Sequence, residues 1–557
     1  MSATAILRAM DAGVMRDQAK GLSAQERAAI AEYLAAGASK SARATAAQAG
    51  AGYCNGSGSA SQGKSDWNGF GAGLSNTRFQ GKDASGLSIA DVPKLQLKWA
   101  FGLGDVTNAR GQPVIVGGRL FAASAAGKVF ALDAKSGCLY WVFNAEAPIR
   151  SGVIASPSAI YFGDAKANAY AVDLDTGKLV WKSRLDEHPA AVITDAPNLH
   201  AGVLYFGISS YEELIGQKKE YECCSFRGSV VAVDTATGRT VWRMYTVAHE
   251  PKPTTKSPGG SQRWGPSGAS VWSTPTIDVK RNAVYVATGD NYSDPPTDTS
   301  DAVMAFDRGT GKLLWSRQMT TNDTYNLGCE VAIHDNCPDS KGPDFDFGQP
   351  PILVSLPNGK QELVIAQKSA VAWGIDPDQQ GKVLWQTTLG KGSSLGGSMW
   401  GSAADERSMY VAISDVGFRP VKDQAGKFEL DPATGGGVFA LDLLSGKTVW
   451  SASAKICEER KNCSPAQPAA VAVIPGVVFE GSMDGHFRAY ASSSGEIIWD
   501  FDTAREYDTV NGERARGGAI DGGGAAIVGG MVYVYSGYGQ WGGMPGNVLL
   551  AFSVEGK

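Results

Sequence analysis

Basic clusters and long apolar runs are both missing from this sequence, and each absence excludes a class of protein. The net charge is −5 at neutral pH and no run of Lys or Arg occurs, so the electrostatic footprint of nucleic-acid binding is lacking. No stretch approaches the roughly 18 to 20 consecutive apolar residues of a membrane span. Met1 is followed by small and polar residues instead of a secretory signal, so we expect a mature or recombinant form with no membrane span and no nucleic-acid partner.

Histidine is also scarce, with 5 residues in 557, and no C-x-x-C pair occurs. A cytosolic protein with a metal cluster of cysteine and histidine is therefore disfavoured, and the 8 cysteines predict disulfides in an oxidising compartment. Two candidate pairs close short loops, one joins adjacent residues and one is long-range: Cys329–Cys337, Cys457–Cys463, Cys223–Cys224 and Cys54–Cys138. The spacing alone leaves the connectivity open.

Glycine, in contrast, is abundant, with 70 residues, and there are 14 tryptophans. A short apolar strand, an Asp/Ser-x-x-Gly turn and a second strand ending on tryptophan recur seven times, closing at Trp141, Trp181, Trp242, Trp315, Trp385, Trp450 and Trp499. The C-terminal VLLAFSVEGK has the turn without its tryptophan, and LQLKW, ending at Trp99, has the tryptophan without its turn. Because pairing these two pieces removes exposed strand edges, the sequence predicts an all-β, eight-bladed β-propeller closed by an N-terminal strand.

Residues 1–37 carry helical periodicity, with Ser23 and Glu26 in capping-box positions, and residues 38–51 form an Ala/Gly/Ser linker to a propeller at 52–557. The helical segment resembles the C-terminal part of a class I cytochrome c domain, in which Met10 or Met15 would ligate haem. Because C-x-x-C-H does not occur, we expect no haem in this chain and a packed helical pair in this segment.

The AxDxxTGxxxW repeats and the segment DWNGFGAGLSNTRFQ at 66–80 resemble the pyrroloquinoline quinone (PQQ)-dependent alcohol dehydrogenases over nearly all of residues 52–557. CCSFRG, the segment from Trp272 to Asn291 and GPDFDFG resemble the polyvinyl-alcohol dehydrogenase group of that family. The resemblance implies a periplasmic enzyme that holds PQQ and Ca²⁺ at the propeller centre. It also implies secondary or polymeric alcohols as substrates and a separate cytochrome c as electron acceptor.

The metal ligands of the family map onto carboxylates of this sequence. Glu212 is the better-spaced calcium ligand after the strand ending at Ser209, and Glu213 is the alternative if the loop shifts by one residue. Asp290 stands where the family usually has an asparagine ligand, and Asn291 is the alternative to it. All of these are oxygen donors of the kind that calcium prefers.

Asp346, in GPDFDFG, matches the aromatic-Asp-aromatic catalytic base of the family, and we also expect it to contact the metal. Its late position is explained if the loop LGCEVAIHDNCPDSKG is an insertion. Asp323 is the runner-up base, and Asp344 has no assigned role. Lanthanide-using relatives carry an aspartate two positions after the base, where this sequence has Gly348, so the resemblance favours calcium.

Five further residues match positions that bind the quinone in the family. Thr194 and Ser209 stand at hydroxyl positions, and Trp272 stands where a tryptophan stacks on the quinone. Arg150 and Lys368 stand where the family places basic residues. A buried tricarboxylate such as PQQ requires such cationic donors.

Two other features have alternative interpretations. The Cys223–Cys224 pair follows the glutamates, whereas the vicinal pair of the family lies nearer the segment around Arg150. The pair in this chain would either contact the quinone from a neighbouring loop or stiffen the rim. Trp400 and Trp541 lie in Gly-rich segments suited either to the central funnel or to core packing.

Two other functions fit part of this pattern. A non-catalytic propeller scaffold of the outer-membrane assembly type would share the tryptophan repeats, and a sugar-oxidising quinoprotein would share the cofactor. A scaffold has no reason to keep the central set in order, which comprises Arg150, Glu212, Trp272, Asp290, Asp346 and Lys368. We therefore expect an enzyme in which Asp346 takes the alcohol proton.

Overall fold

Consecutive hairpins that end on tryptophan fold into antiparallel sheets that follow one another along the chain. In the computed structural model, the described part of the chain contains eight such sheets, which we call blades 1 to 8, seven with four strands and one with five. The structure describes residue 7 and residues 10–11, 19–31, 52–55, 66–150, 152–331, 335–422, 424, 426–455, 457 and 460–556. The chain divides into two units, Met1–Tyr53 and Cys54–Lys557, and all eight blades belong to the second. The predicted eight-bladed propeller is confirmed.

The strands of a blade are numbered from first to fourth across its sheet. The first four blades contain Val114–Val116, Arg119–Ala123, Lys128–Asp133 and Leu139–Asn144 in blade 1; Ile154–Ala155, Ala159–Gly163, Asn168–Asp173 and Leu179–Arg184 in blade 2; Ala191–Val192 with Asn198–His200, Val203–Ser210, Ser229–Asp234 and Thr240–Tyr245 in blade 3; and Thr276–Asp278, Ala283–Ala287, Ala302–Asp307 and Leu313–Gln318 in blade 4. The last four contain Ile352–Ser355, Gln361–Ala366, Val371–Asp376 and Lys382–Thr388 in blade 5; Ala403–Ala404, Ser408–Ile413, Gly437–Asp442 and Thr448–Ser453 in blade 6; Ala472–Ile474, Val477–Gly481, His486–Ala491 and Ile497–Asp502 in blade 7; and Ala526–Val528, Met531–Ser536, Val548–Val554 and Leu95–Gly102 in blade 8.

The blades surround a common axis with their first strands innermost. The first strands of neighbouring blades contact one another, as between blades 4 and 5, 5 and 6, and 8 and 1. The second strands are apolar and buried on both faces, as in Arg119–Ala123 and Ala159–Gly163, because the adjacent blades cover them. The fourth strands are the most exposed, as in Leu179–Arg184, and form the rim.

The ring is closed by a strand from the N-terminal side of the propeller. Leu95–Gly102 pairs antiparallel with Val548–Val554, in a register that runs from Leu95 opposite Val554 to Gly102 opposite Val548. The split repeat seen in the sequence is therefore one blade, in which each half pairs with the other.

The repeated tryptophan joins each blade to the next one. The indole N–H of Trp141 in blade 1 donates to the carbonyl of Leu174 in blade 2 at 3.2 Å, and its ring lies against Gly177. In the same turn, Asp173 accepts hydrogen bonds from the amide and hydroxyl of Thr176. Equivalent indole hydrogen bonds link Trp99 to Ala134, Trp181 to Thr235, Trp242 to Arg308, Trp385 to Leu443, Trp450 to Ser492, and Trp499 to Leu95.

This docking predicts that Gly177→Ala destabilises the propeller. Gly177 has a φ of +69°, and an added Cβ would lie 2.6 Å from the Trp141 ring. A left-handed alanine costs about 1–2 kcal/mol and overpacking about 1–3 kcal/mol, so the free energy of unfolding should fall by about 2–5 kcal/mol in denaturant titrations. Gly359→Ala is the matched control, because its φ is +79° and no atom lies within 4 Å of its Cβ position. Equal losses in the two variants would refute the packing role of the tryptophan.

Short elements connect the blades. Two short α-helices, at Lys82–Ser85 and Glu212–Ile215, and four 3₁₀ turns, at Val92–Lys94, Leu327–Glu330, Pro377–Gln379 and Gln540–Gly542, have bounds in the described residues. Four two-stranded sheets in the described loops pair Lys252–Lys256 with Gln262–Gly265, Ser267–Gly268 with Asn291–Ser293, Phe418–Pro420 with Phe428–Leu430, and Glu506–Tyr507 with Ala515–Arg516. Within the described residues, no helix combines the length and apolarity needed to cross a membrane.

All four candidate cysteine pairs are disulfides: Cys54–Cys138, Cys223–Cys224, Cys329–Cys337 and Cys457–Cys463. The predicted insertion before Asp346 is therefore closed by Cys329–Cys337.

In the N-terminal unit, residues 24–31 are helical, and Ser23 and Glu26 form the predicted capping box through reciprocal hydrogen bonds of 2.7 and 3.2 Å. Met10 is buried and belongs to a small apolar cluster with Ala19 and Ala31. Met15 and the linker at 38–51 lie outside the described residues.

Candidate active site

Three carboxylates from different parts of the chain meet on one face of the propeller. Glu213 follows the second strand of blade 3, Asp290 follows the second strand of blade 4, and Asp346 lies between blades 4 and 5. One oxygen of each lies within 4.8 Å of the others, with Asp290 and Asp346 buried and Glu213 half-buried. Because strands alternate in direction within a blade, the ends of second and fourth strands share one face, and this topology brings the three together.

The carboxylates strongly disfavour one another's charge. Burial, followed by the charge of Asp346, raises the pKa of Glu213 to about 7. The same two causes raise the pKa of Asp290 well above its usual range. The Oδ2 atom of Asp290 is buried and has no hydrogen-bond partner among the described residues. A buried cluster of oxygen donors with an unpaired acceptor fits a hard divalent cation.

The structure brings Glu213, and not Glu212, into this cluster. Glu212 is fully buried and turned away, and its carboxylate accepts hydrogen bonds from the amides of Ser225 and Phe226 at 2.9 and 2.7 Å. The hydroxyl of Tyr221 donates a third, at 2.9 Å. Both glutamates lie in one helical turn, where successive side chains point about 100° apart, so only one of them can face the cluster. The observed arrangement is the alternative in which the loop shifts by one residue and Glu213 takes the place of Glu212.

Asn291 also has other partners. Its Oδ1 accepts from the amide of Thr297 at 2.7 Å, and its amide group donates to the carbonyl of Ser267 at 2.9 Å. Its neighbour Asp290 therefore supplies the carboxylate at this position of the cluster.

Lys368 links the cluster to a fourth carboxylate. Its Nζ donates to Asp344 and to Asp346, each at 2.7 Å. Burial opposes the charge of Lys368, but the charges of Asp344 and Asp346 outweigh it and hold the lysine pKa well above its usual value. The other oxygen of Asp346 accepts from the amide of Asp290 at 2.7 Å. Asp346 is thereby fixed in place between a cation and a backbone donor.

Asp323, the runner-up base, has a different position. Its carboxylate accepts hydrogen bonds from the amides of Asp344 and Phe345 at 3.0 and 2.7 Å. It therefore holds the backbone of the Asp346 loop and is not part of the three-carboxylate cluster.

A cavity adjoins the cluster on the side of Trp272. The Lys368 ammonium lies 5.6 Å from the centre of the Trp272 ring, and the Arg150 guanidinium lies 4.3 Å from that of Trp400. The two indoles meet edge to face, at 5.6 Å. Burial lowers the pKa of Arg150 to about 10. The cavity is lined by Phe70, Arg110, Gln112, Arg150, Gly152, Thr194, Asp195, Trp272, Trp400, Gly522 and Gly523.

Small residues keep space open between the cluster and the indole. A Cβ on Gly289 would lie 2.4 Å from Asp346, and one on Gly348 would lie 2.7 Å from the ring of Trp272. Glycine is thus required at position 348 because a side chain there would overlap the Trp272 ring.

Of the residues predicted to bind a cofactor, Arg150, Thr194, Trp272 and Trp400 line the cavity and Lys368 adjoins it. The described lining does not include Ser209, Cys223, Cys224 or Trp541. Cys223 and Cys224 are buried beside the strand at Trp264, with which both form backbone hydrogen bonds. Trp541 is 44% exposed.

Sequence reasoning missed Arg110, Gln112 and Asp195. Arg110 and Gln112 lie just before the first strand of blade 1, as Arg150 lies just before that of blade 2, so polar residues at these blade entrances were the available signal. The Nε atom of Arg110 is buried and has no partner among the described residues, which fits an anionic group in the cavity.

The raised pKa of Glu213 predicts that binding of a divalent cation releases protons. In the metal-free protein, the carboxyl of Glu213 has a pKa of about 7 against an ordinary value of 4.5, so the folded state retains a proton between these pH values. Stability of the metal-free protein should fall as pH rises through this window. Cation binding requires the ionised form, so affinity for Ca²⁺ should rise over the same window.

Calorimetry in buffers of different ionisation enthalpy would measure the protons released per Ca²⁺ bound. Glu213→Gln should release fewer protons and bind more weakly, whereas Glu330→Gln, at an exposed ion pair with Lys341, is the control and should match the unsubstituted protein. A Ca²⁺ affinity that is independent of pH across this window would contradict the arrangement.

Comparisons with known proteins identify relatives of this chain. Residues 96–243 match a family described as outer membrane protein assembly factor BamB, and residues 213–332 match the beta-propeller domain of glucose/ethanol/alcohol dehydrogenase. A polyvinylalcohol dehydrogenase from a Pseudomonas species is 45% identical over 511 residues, which cover 88% of this chain and 77% of the relative. A polyvinylalcohol dehydrogenase from a Sphingopyxis species is 42% identical, with the same two coverages.

Among solved structures, the quinohemoprotein alcohol dehydrogenase of Comamonas testosteroni superposes with a TM-score of 0.63. It is 21% identical, and the match covers 88% of this chain and 81% of that one. At this level of identity, the likeness shows the propeller fold alone.

Proposed function

The chain belongs to the quinoprotein alcohol dehydrogenase family, and on this basis we propose that it oxidises secondary alcohols, polyvinyl alcohol among them, using PQQ together with a calcium ion. The single observation that carries the proposal is the cluster of Glu213, Asp290 and Asp346 beside a cavity lined by Arg150 and Trp272. A hard cation and a flat polyanion would be accommodated side by side in such a site.

Calcium fits the donors present. Glu213, Asp290 and Asp346 would hold it through carboxylate oxygens, the ligands that calcium prefers. Lys368 already offsets the charge of Asp344, so the remaining negative charge of the cluster favours a divalent cation. An aspartate in place of Gly348 would collide with the Trp272 ring and the Met399 carbonyl, which favours calcium over the lanthanides of relatives with that aspartate.

The side chains that line the cavity match the chemical groups of PQQ. Arg150 and Arg110 would pair with its carboxylates, Thr194 would offer a hydroxyl, and the indole of Trp272 would support its flat rings. When bound, PQQ supplies the two-electron acceptor for alcohol oxidation.

Residues of this chain would then receive the proton that the alcohol loses. Asp346 would accept the proton of the alcohol hydroxyl as general base. Lys368, at 2.7 Å, and the amide of Asp290 hold its carboxylate in place through hydrogen bonds. Glu213 and Asp290 would hold the cation next to this carboxylate.

The Cys223–Cys224 pair is better explained as a brace than as a cofactor contact. The next two residues, Ser225 and Phe226, donate the amides that hold Glu212, and Glu212 precedes the proposed ligand Glu213. The disulfide would therefore stiffen the loop behind the ligand. This corresponds to the rim-stiffening alternative.

The disulfides support a periplasmic location, where such bonds persist. A separate cytochrome c would take the electrons. A non-catalytic scaffold is disfavoured, because three mutually repelling buried carboxylates would lower stability with no benefit to it.

The test is reconstitution with PQQ and Ca²⁺ followed by assays on polyvinyl alcohol, short secondary alcohols and aldoses, with cytochrome c as acceptor. We expect turnover of the alcohols and none of the aldoses. Failure to bind PQQ or to turn over any alcohol would sink the proposal, and preference for aldoses would assign a sugar dehydrogenase.

Asp346→Asn should lower kcat about 10²- to 10⁴-fold, because it removes the general base, while PQQ absorbance shows that the quinone stays bound. Asp323→Asn is the control, since an amide oxygen can still accept one of its two backbone hydrogen bonds, and it should keep most activity. The reverse pattern would move the base to Asp323.

A further inference from the structure

A groove with a volume of about 740 Å³ lies near the rim, on the same face as the carboxylate cluster. We call it the rim groove. Its walls come from the ends of the fourth strands of blades 2 and 3 and from the segment 222–227. These strand ends share a face with the ends of second strands, where Glu213 and Asp290 stand.

The rim groove combines aromatic surface with paired charges. Phe226, Tyr245 and Trp264 line it, and the guanidinium of Arg227 lies 3.8 Å from the centre of the Tyr245 ring. Arg227 and Arg243 face carboxylates at 3.7 and 3.8 Å, beyond hydrogen-bond distance. The Nε of Arg243 is buried and has no partner among the described residues.

The two guanidinium–carboxylate pairs of the rim groove suit a ligand that carries hydroxyl groups. Arg227 faces Glu250 and Arg243 faces Asp186, so hydroxyl groups can bridge each pair without displacing either partner. Aromatic faces pack against methylene groups. A chain with a hydroxyl on alternate carbons presents both kinds of surface along its whole length.

The rim groove also shares a wall with the candidate active site. Ser225 and Phe226 line the groove, and their amides hold Glu212, whose neighbour Glu213 belongs to the carboxylate cluster. His188, another lining residue, lies 3.1 Å from the hydroxyl of Ser225. A ligand in the groove therefore lies behind the turn that carries Glu213.

We propose that the rim groove is a second binding site for a neutral polyhydroxylated chain, which holds a segment of a polymeric alcohol while another segment reacts at the centre. The proposal rests on the proposed function in taking a polymeric alcohol as substrate. Binding a remote segment raises the effective concentration of the polymer at the reacting site. Because this contact is equal in the ground and transition states, it lowers KM for the polymer and leaves kcat unchanged.

The kinetic test compares polyvinyl alcohol with pentane-2,4-diol, which is too short to occupy both sites. Tyr245→Ala in the reconstituted enzyme should raise KM for the polymer about 3- to 10-fold, the range expected for one aromatic contact, with kcat and both constants for the diol unchanged. Arg227→Gln is a second, milder variant that keeps the ring in place. Tyr140→Ala is the matched control, because Arg119 lies 4.5 Å from its ring in blade 1, outside the groove.

A binding measurement separates this proposal from the proposed function. Titration of the PQQ- and Ca²⁺-loaded protein with polyvinyl alcohol should show saturable binding that Tyr245→Ala and Arg227→Gln weaken and Tyr140→Ala does not. Such binding without any oxidation would support the groove and sink the polymer oxidation. Unchanged polymer binding and KM in both groove variants, or an equal rise in KM for the diol, would overturn the groove.

Discussion

Closure of the ring is the constraint on which the rest of the structure depends. The pairing of Leu95–Gly102 with Val548–Val554 gives every blade two neighbours, and seven of the eight repeat tryptophans rest on a glycine turn of the next blade. The candidate active site lies within this closed ring, with carboxylates contributed by blade 3, blade 4 and the connection to blade 5. The packing of these blades places one carboxylate oxygen of each of Glu213, Asp290 and Asp346 within 4.8 Å of the others.

The negative charges at the candidate active site are only partly balanced by positive groups of the protein. Three buried carboxylates, on Asp290, Asp344 and Asp346, and the half-buried carboxylate of Glu213 face one buried ammonium, that of Lys368. Burial makes each uncompensated charge unfavourable, so the site favours either protons or a bound cation. In the cavity beside it, Arg110 and Arg150 supply positive charge, and the buried Nε of Arg110 has no hydrogen-bond partner among the described residues.

The fold and much of the site were accessible from the sequence. The split repeat predicted the closed ring, and the pairing of cysteines in short loops predicted the disulfides. Asp290, Asp346, Lys368 and Trp272 could be predicted because their motifs resemble those of the quinoprotein alcohol dehydrogenases, and the structure brings all four to one side of blades 4 and 5. Residue spacing could not show whether Glu212 or Glu213 faces the cluster. The answer depends on which of the two side chains accepts hydrogen bonds from the amides of Ser225 and Phe226, and in the structure this is Glu212. Asp344 accepts a hydrogen bond from the Lys368 ammonium, and residue spacing alone does not indicate this contact.

The closing strand also orders events during synthesis. Leu95–Gly102 is made before every other strand of the ring, yet its partner in the sheet is the last strand to be made. The carbonyl of Leu95 in this strand accepts a hydrogen bond from the indole of Trp499, which lies 404 residues further along the chain. A growing chain must therefore keep Leu95–Gly102 from pairing elsewhere until Val548–Val554 has been made, so this strand waits longest of all the propeller strands for its partner.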